Sequence, residues 1–484
     1  MKQPHILLIQ SDQHNPFICG YAGNTLVDTP HLDHLAKEGV VFENCYSNSP
    51  LCVPSRSSML SGLLPTHTGV YNNFQLLRSD RATFATTLAI AGYDTVLCGR
   101  MHFTGYDQRH GFEKRLVGDL NPSFPREKQR QQELYGPLAG TPDQSRVCID
   151  KSGAGSSAML CFDRAVTDAA CDYLRTRTDE RQLFLLVGYG NPHCPFVAPE
   201  ELFRKYDQRL RGTEEATTEA FDELHPAIQQ FIRLRGIEHV TPEELHRVKA
   251  AYYANVEYMD GLIGEVISCA RETLGEDIVV IYLSDHGESL GSHGMFWKSN
   301  FYEESAHVPL IISAPGRFGT GKRRAQVVSL LDIAPTLCDL GEAPHLPKED
   351  GNSLLPLLTD ETWTREDVAV SILADIKGDL PSAMIRVGRY KLMKFCTIDL
   401  PLLFDLENDP RELNNLAADP AFRDLTEMLL ARLYEYWNED EAMEALDQGL
   451  KQTALLRRWA AATKPDSIEE WQGYDNMNYL LPID

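Results

Sequence analysis

Nowhere in this 484-residue chain does an uninterrupted apolar run approach the roughly 20 residues that a membrane-spanning helix needs. A helical membrane protein is therefore excluded, and no membrane partner is expected. Basic residues are scarce: 46 Lys and Arg face 70 Asp and Glu, for a formal net charge of −24. Such a surface repels polyanions, which argues against nucleic acid or an anionic bilayer as the main partner. The 11 cysteines form no CxxC pair, so neither a disulfide framework nor a thiol-rich zinc module is read, and a reducing compartment is expected. HExxH, GxGxxG and a complete Walker loop are also missing. The N-terminal "MKQPHILLIQSDQH" has an apolar core too short for a secretory signal. A cytoplasmic location follows as an expectation.

What is present is an alternation. "HILLIQSD", "VVFENCY", "YDTVLCG", "LFLLVGYG" and "IVVIYLS" read as buried strands, with amphipathic segments such as "TPHLDHLAKEG" and "VKAAYYANVEYMDGLIGEVISCARETLG" between them. This order predicts an α/β fold: a mostly parallel central sheet sandwiched by helices. Thr29 is the expected cap of the first helix, with Pro30 in its first turn and Gly39 at its stop. Residues 114–160, rich in Pro, Gln, Gly and Ser, read as an inserted excursion over the site, and 204–247 as a solvated helical surface pair. Near residue 365 the alternation ends. "SAMIRVGRYKLMKF" reads as a hairpin pivoting on Gly388. The expected division is a catalytic α/β domain over 1–365 and a smaller α+β subdomain over 366–484 with an aromatic tail. The tail is expected to pack on its own chain, with a homo-oligomer as the alternative.

Ligands of open parallel sheets gather at the carboxyl ends of the strands. Those ends carry Asp12-Gln13, Arg100-Met101-His102, Asn191-Pro192-His193 and Asp285-His286. Two carboxylates, an amide oxygen and an imidazole make a donor set for a hard to borderline divalent cation, Ca²⁺ or Mn²⁺. The nearby guanidinium and imidazoles suit an oxyanion.

The stretch "CVPSR", residues 52–56, followed by "SGLLPTHTGV", resembles the signature of the type I sulfatases of the alkaline phosphatase superfamily. The resemblance extends to "LLIQSDQH", "GRMHFTGYDQRHGFE", "SDHGESLGSHGMFWKSNFYEESAHVPLII" and "LLFDLENDPRELNNLA". It implies an alkaline-phosphatase-like fold and hydrolysis of a small sulfate monoester. It further implies that Cys52 is oxidised by a maturation enzyme to Cα-formylglycine, whose hydrated aldehyde attacks sulfur and then releases sulfate. Asp12, Gln13, Cys52, Asp285 and His286 would hold the metal, calcium by family habit with manganese as the alternative. Arg56, His102, His193 and Lys298 would be catalytic, with His193 favoured as the acid for the leaving oxygen. Asn73 and Arg100 would bind substrate.

The chain departs from the common pattern of that family in three places: Gln13 and His286 where carboxylate and amide ligands are usual, and Arg100 where a lysine is usual. These variants resemble the choline-sulfatase and phosphonate monoester hydrolase branch. Phosphonate monoester or phosphodiester hydrolysis at the same site is therefore the alternative activity, and a silent binding protein retaining a Cys52 thiol is the alternative outside enzymes. For an ammonium leaving group, Tyr21, Tyr106, Trp297 and Phe301 are available aromatic residues.

Overall fold

The computed structural model describes residues 3–124, 144–213, 221–374, 379–474 and 476–482. Its centre is strand β1 (His5–Asp12), whose "HILLIQSD" is buried along almost its whole length. An apolar run buried on both faces needs parallel neighbours with helices above and below. β1 has them, pairing in parallel with β6 (Leu183–Pro192) and β8 (Ile278–Ser284). Leu7 and Ile9 face one core with α1 (Pro30–Glu38), α3 (Ala158–Thr176) and α6 (Pro242–Leu274). Ile6 and Leu8 face the opposite core, which includes Met59 and Leu60 of α2 (Cys52–Ser61). The strand period of two thus divides one sequence between two layers.

The remaining strands of this sheet are β2 (Val40–Tyr46), β3 (Asp94–Gly99), β4 (Lys114–Arg115), β9 (His307–Val308), β10 (Leu310–Ser313) and β11 (Lys322–Ser329). The order is β11-β2-β10-β8-β1-β6-β3-β4, with β9 on β2. Pairing is parallel except around β10, which runs antiparallel to β2 and β8, and β9, antiparallel to β2. The sheet is mostly parallel, as the alternation of elements predicts.

β12 (Val368–Leu373), β13 (Ser382–Val387), β14 (Tyr390–Phe395) and β15 (Leu402–Asp405) form a separate antiparallel sheet. Gly388 makes the β13–β14 turn at φ 54°, a conformation that suits a residue without Cβ. Buried charge links this sheet to the catalytic layer: Lys391 Nζ lies 2.6 Å from both Glu303 and Glu412 carboxylates. Asn48 Nδ2, just before Cys52, donates to Val370 O at 2.9 Å. α7 (Arg423–Leu433) covers the sheet, and α8 (Glu439–Thr463) leads into the tail.

That tail packs on its own chain. It leaves the small sheet and returns to the catalytic layer, where β16 (Tyr479–Leu480) pairs with β5 (Gly153–Ser156), itself paired with β7 (Val197–Ala198), and Trp471 meets Phe162 edge to face.

Three expectations are corrected. Thr29 stands at the N-cap position of α1, with Pro30 in the first turn and Gly39 at the stop, but its hydroxyl makes no capping bond: it donates to Asp33, while Asp260 of α6 accepts His31 N–H and Leu32 N–H at 3.1 and 2.8 Å. Residues 204–247 are not simply a solvated pair. α4 (Glu200–Arg209) is mostly open, but α5 (Pro226–Arg235) buries Ile228, Phe231 and Ile232, an i, i+3, i+4 stripe hidden among its charges. The excursion expected over 114–160 instead supplies β4, a short helix at Arg146–Asp150 and β5; residues 125–143 lie outside the described residues.

Candidate active site

Register sets the geometry. Ser11 pairs with Ser284 across β1 and β8, so Asp12 and Asp285 sit level at the ends of neighbouring strands. On the other side Arg100 follows β3, and its N–H donates to Gly188 O of β6 at 2.8 Å. A Cβ at Gly188 would lie 2.1 Å from Arg100 O, so only glycine permits this approach. His193 follows β6 directly. Asp163 of α3 holds that strand end, accepting Gly190 N–H, Asn191 N–H and Asn191 Nδ2 at 2.7–2.8 Å.

Cys52 is the first residue of α2. Its sulfur lies 3.2 Å from His286 Nε2, 3.4 Å from Lys298 Nζ and 3.8 Å from Asp12 Oδ1. His102 and His193 also reach it. Burial opposes ionisation, yet Lys298 and His286 hold the thiol well below its ordinary range. Asn73 accepts Val53 N–H at 2.9 Å, fixing the start of the helix.

Arg56 spans the acids. Nη2 donates to Asp12 Oδ2 at 2.9 Å, Nε to Asp285 Oδ2 at 2.8 Å, and Nη1 to Arg100 O at 2.7 Å. Arg100 Nε donates to the same Asp12 oxygen at 2.5 Å, and its Nη1 donates to Asn121 Oδ1 at 2.8 Å. Burial would raise Asp12, but Arg100, His193 and Arg56 together outweigh it and leave this carboxyl well below the usual range. Asp285 is raised by burial. Arg100 is thus engaged with Asp12 and Asn121, and Arg56 with the two acids.

Asp12, Cys52, Asp285 and His286, all buried, each offer a donor atom within 4.8 Å of the others. His286 Nδ1 donates to Gly287 O at 3.1 Å, which leaves the Nε2 lone pair for the centre of the group. Gln13 adds its carbonyl oxygen, which accepts from Lys298 Nζ at 2.8 Å. The donor set fits a hard to borderline divalent cation. Four non-glycine residues here hold left-handed backbones: Gln13 (φ 69°), His102 (55°), Trp297 (63°) and Ser299 (65°). Such strain persists only where surrounding contacts impose it.

All the sequence-predicted residues, Asp12, Gln13, Cys52, Arg56, Asn73, Arg100, His102, His193, Asp285, His286 and Lys298, fall in this one region. Of the aromatic candidates, Trp297 and Phe301 are enclosed in a core and Tyr106 is 71% exposed. Sequence reasoning missed Asp119, Asn121, Asp163 and Glu288. Asp119 accepts N–H of Met101 and His102 at 2.9 and 2.5 Å; Asn121 Nδ2 donates to His102 Nε2 at 2.7 Å. Only Glu288, adjoining "SDHG", carried a motif signal.

The sulfatase family profile matches residues 4–343, and the profile of the N-sulphoglucosamine sulphohydrolase C-terminal region matches 291–439. A choline-sulfatase of Rhizobium meliloti is 34% identical, covering 94% of this chain and 90% of that protein. Arylsulfatase K of Gallus gallus is 30% identical over 86% of this chain and 79% of its own. Among solved structures, the phosphonate monoester hydrolase of Agrobacterium radiobacter superposes with a TM-score of 0.73 at 25% identity, over 90% of this chain and 95% of that one. The chain belongs to the sulfatase family and is a sulfuric ester hydrolase.

Proposed function

We propose that the enzyme cleaves a small sulfate monoester, with Cys52 matured to Cα-formylglycine by a dedicated modifying enzyme. The single observation that carries this reading is the placement of Cys52: buried, first in its helix, and within 4.8 Å of the donor atoms of Asp12, Asp285 and His286. Asp12, Gln13, Asp285, His286 and residue 52 would hold the cation, calcium on family habit, manganese on the strength of the imidazole donor. Together the two groups would supply a nucleophilic hydroxyl of lowered pKa and charge neutralisation at the sulfate.

The chain's own residues do the rest. Lys298, buried against Cys52, opposes the negative charge that builds on sulfate in the transition state. Arg56 bridges the two acids, holding them in place and sparing two buried anions from facing each other. His193 Nδ1 donates to Cys194 O at 2.6 Å, so Nε2 carries no proton in the neutral ring. Burial, reinforced by Lys298, pushes this imidazole down to about 4 before substrate binds. An arriving sulfate anion favours the imidazolium, which then protonates the leaving oxygen. Arg100 and Asn73 shape the sulfate pocket through Asp12 and the start of α2.

The 11 cysteines, none of them in a disulfide, support a reducing, cytoplasmic setting. Choline sulfate is one substrate to test, given the choline-sulfatase relative. Mass spectrometry of the peptide spanning Cys52 tests the reading directly, in protein from its native source. Loss of the cysteine sulfur with gain of an aldehyde is expected; an intact thiol in active protein would overturn it. Rates on matched aryl sulfate and aryl phosphonate esters separate the two activities, and faster phosphonate turnover would favour the alternative.

A further inference from the structure

Gln13 stands where the family commonly has a second carboxylate, so the site has lost one anionic ligand from its inner layer. The missing charge is present one hydrogen bond away. Gln13 Nε2 donates to Glu288 Oε2 at 2.5 Å, while the other Glu288 oxygen accepts N–H of Leu290 at 2.9 Å and of Trp297 at 2.5 Å. Glu288 is 0% exposed. Lys298 Nζ can only donate, so it faces the Gln13 oxygen and the amide nitrogen faces Glu288; the two partners together fix which end of Gln13 faces inward. The carbonyl end faces Lys298 Nζ.

From this geometry we infer that Glu288 is a positioning residue for the metal site. It locks the Gln13 amide with its oxygen toward the cation and polarises that oxygen through the charged hydrogen bond. The pair Gln13–Glu288 then acts as a carboxylate ligand whose charge sits one bond further out. The inference rests on the reading of Gln13 as a metal ligand, and concerns a residue outside the ligand set.

Glu288→Gln tests it with little change of shape. The new amide still accepts from Leu290 and Trp297, but its nitrogen meets the Gln13 nitrogen, and Gln13 must turn its own NH₂ toward the cation. Ca²⁺ and Mn²⁺ affinities are measured by calorimetry on metal-stripped wild type, E288Q, Q13D and Q13D/E288Q, each checked for folding by thermal unfolding. E288Q is expected to bind roughly 10–100-fold more weakly, with kcat recovering as metal is raised. Q13D alone sets two carboxylates against each other and is expected to bind worse than Q13D/E288Q, where the amide nitrogen of position 288 donates to the new acid. Wild-type affinity in E288Q, or a double variant no better than Q13D, overturns the inference. A wild-type protein that binds neither ion would instead overturn the metal reading itself.

Discussion

Arg56 donates through Nε to Asp285 Oδ2 at 2.8 Å, across 229 residues of sequence, with both side chains at or below 1% exposure. The same guanidinium reaches Asp12. Arg56→Ala leaves two buried carboxylates without their shared cation and is expected to cost about 3–5 kcal/mol of stability. Arg56→Lys keeps the charge but cannot span both acids with one point donor. It should fold and lose at least about 100-fold in kcat, comparable to removing one transition-state donor. Urea unfolding and steady-state kinetics on both variants check this; an Arg56→Lys enzyme of wild-type kcat would refute the bridging role.

Asp119 gives a second prediction. Its carboxylate holds the backbone of Met101 and His102 and lies 3.8 Å from Arg100 and 3.5 Å from Arg115. Its N–H donates to Glu469 O, and its carbonyl accepts Trp471 N–H at 2.9 Å. Asp119→Asn turns one acceptor into a donor facing N–H groups, and activity should fall roughly 10–100-fold, the worth of a charged hydrogen bond. Deleting the chain beyond Thr463 should lower kcat/KM and expose the 118–123 loop to protease. Limited proteolysis with kinetics decides; full activity in the truncated enzyme would remove the tail from the account.

His193 as acid predicts a leaving-group effect. His193→Ala should slow alkyl sulfates, whose alkoxide needs a proton, far more than nitrophenyl sulfate, whose phenoxide leaves unaided. Equal losses on both substrates would move the acid role elsewhere, with His102 the next candidate.

Asp260 predicts a pH dependence of stability away from the site. Burial pushes its carboxyl up to about 7, against two backbone N–H donors that pull it down. The folded state therefore holds a proton that the unfolded state, at the ordinary 3.8, has released. Asp260 contributes stability below about pH 4 that is lost as pH rises through about 7. Asp260→Asn removes this slope, so denaturant unfolding at several pH values should show the variant gaining on wild type across that window. A constant difference would show that Asp260 titrates normally.

The sequence was most legible where one physical demand dominated. Central strands must be apolar on both faces, so "HILLIQ" and "IVVIYL" announced themselves, and the chemistry at their ends followed. Cys52, Arg56 and Lys298 were read through a motif. The supporting residues were not, because Asp119 and Asp163 bond mainly to backbone or amide groups of other segments and Asn121 to the side chains of Arg100 and His102, and no local spacing encodes that. Thr29 shows the same limit: its position as N-cap was legible, but the acceptor for the first-turn N–H groups is Asp260, delivered by a helix more than 200 residues away.

β1 is the first strand of the large sheet in chain order, and its pairing is completed only by β8. Its flanking partners are β6 and β8, so an emerging chain carries an unsatisfied apolar edge until Ser284 has left the ribosome. Cys52, enclosed at 1% exposure in the finished fold, stays reachable over the same interval. From Cys52 to Ser284 is about 230 residues, or roughly 10–50 s of synthesis at 5–20 residues per second. On the proposed maturation, that interval is when a modifying enzyme must act, and a faster-translated or rapidly collapsing chain would accumulate as stable, well-folded, inert protein.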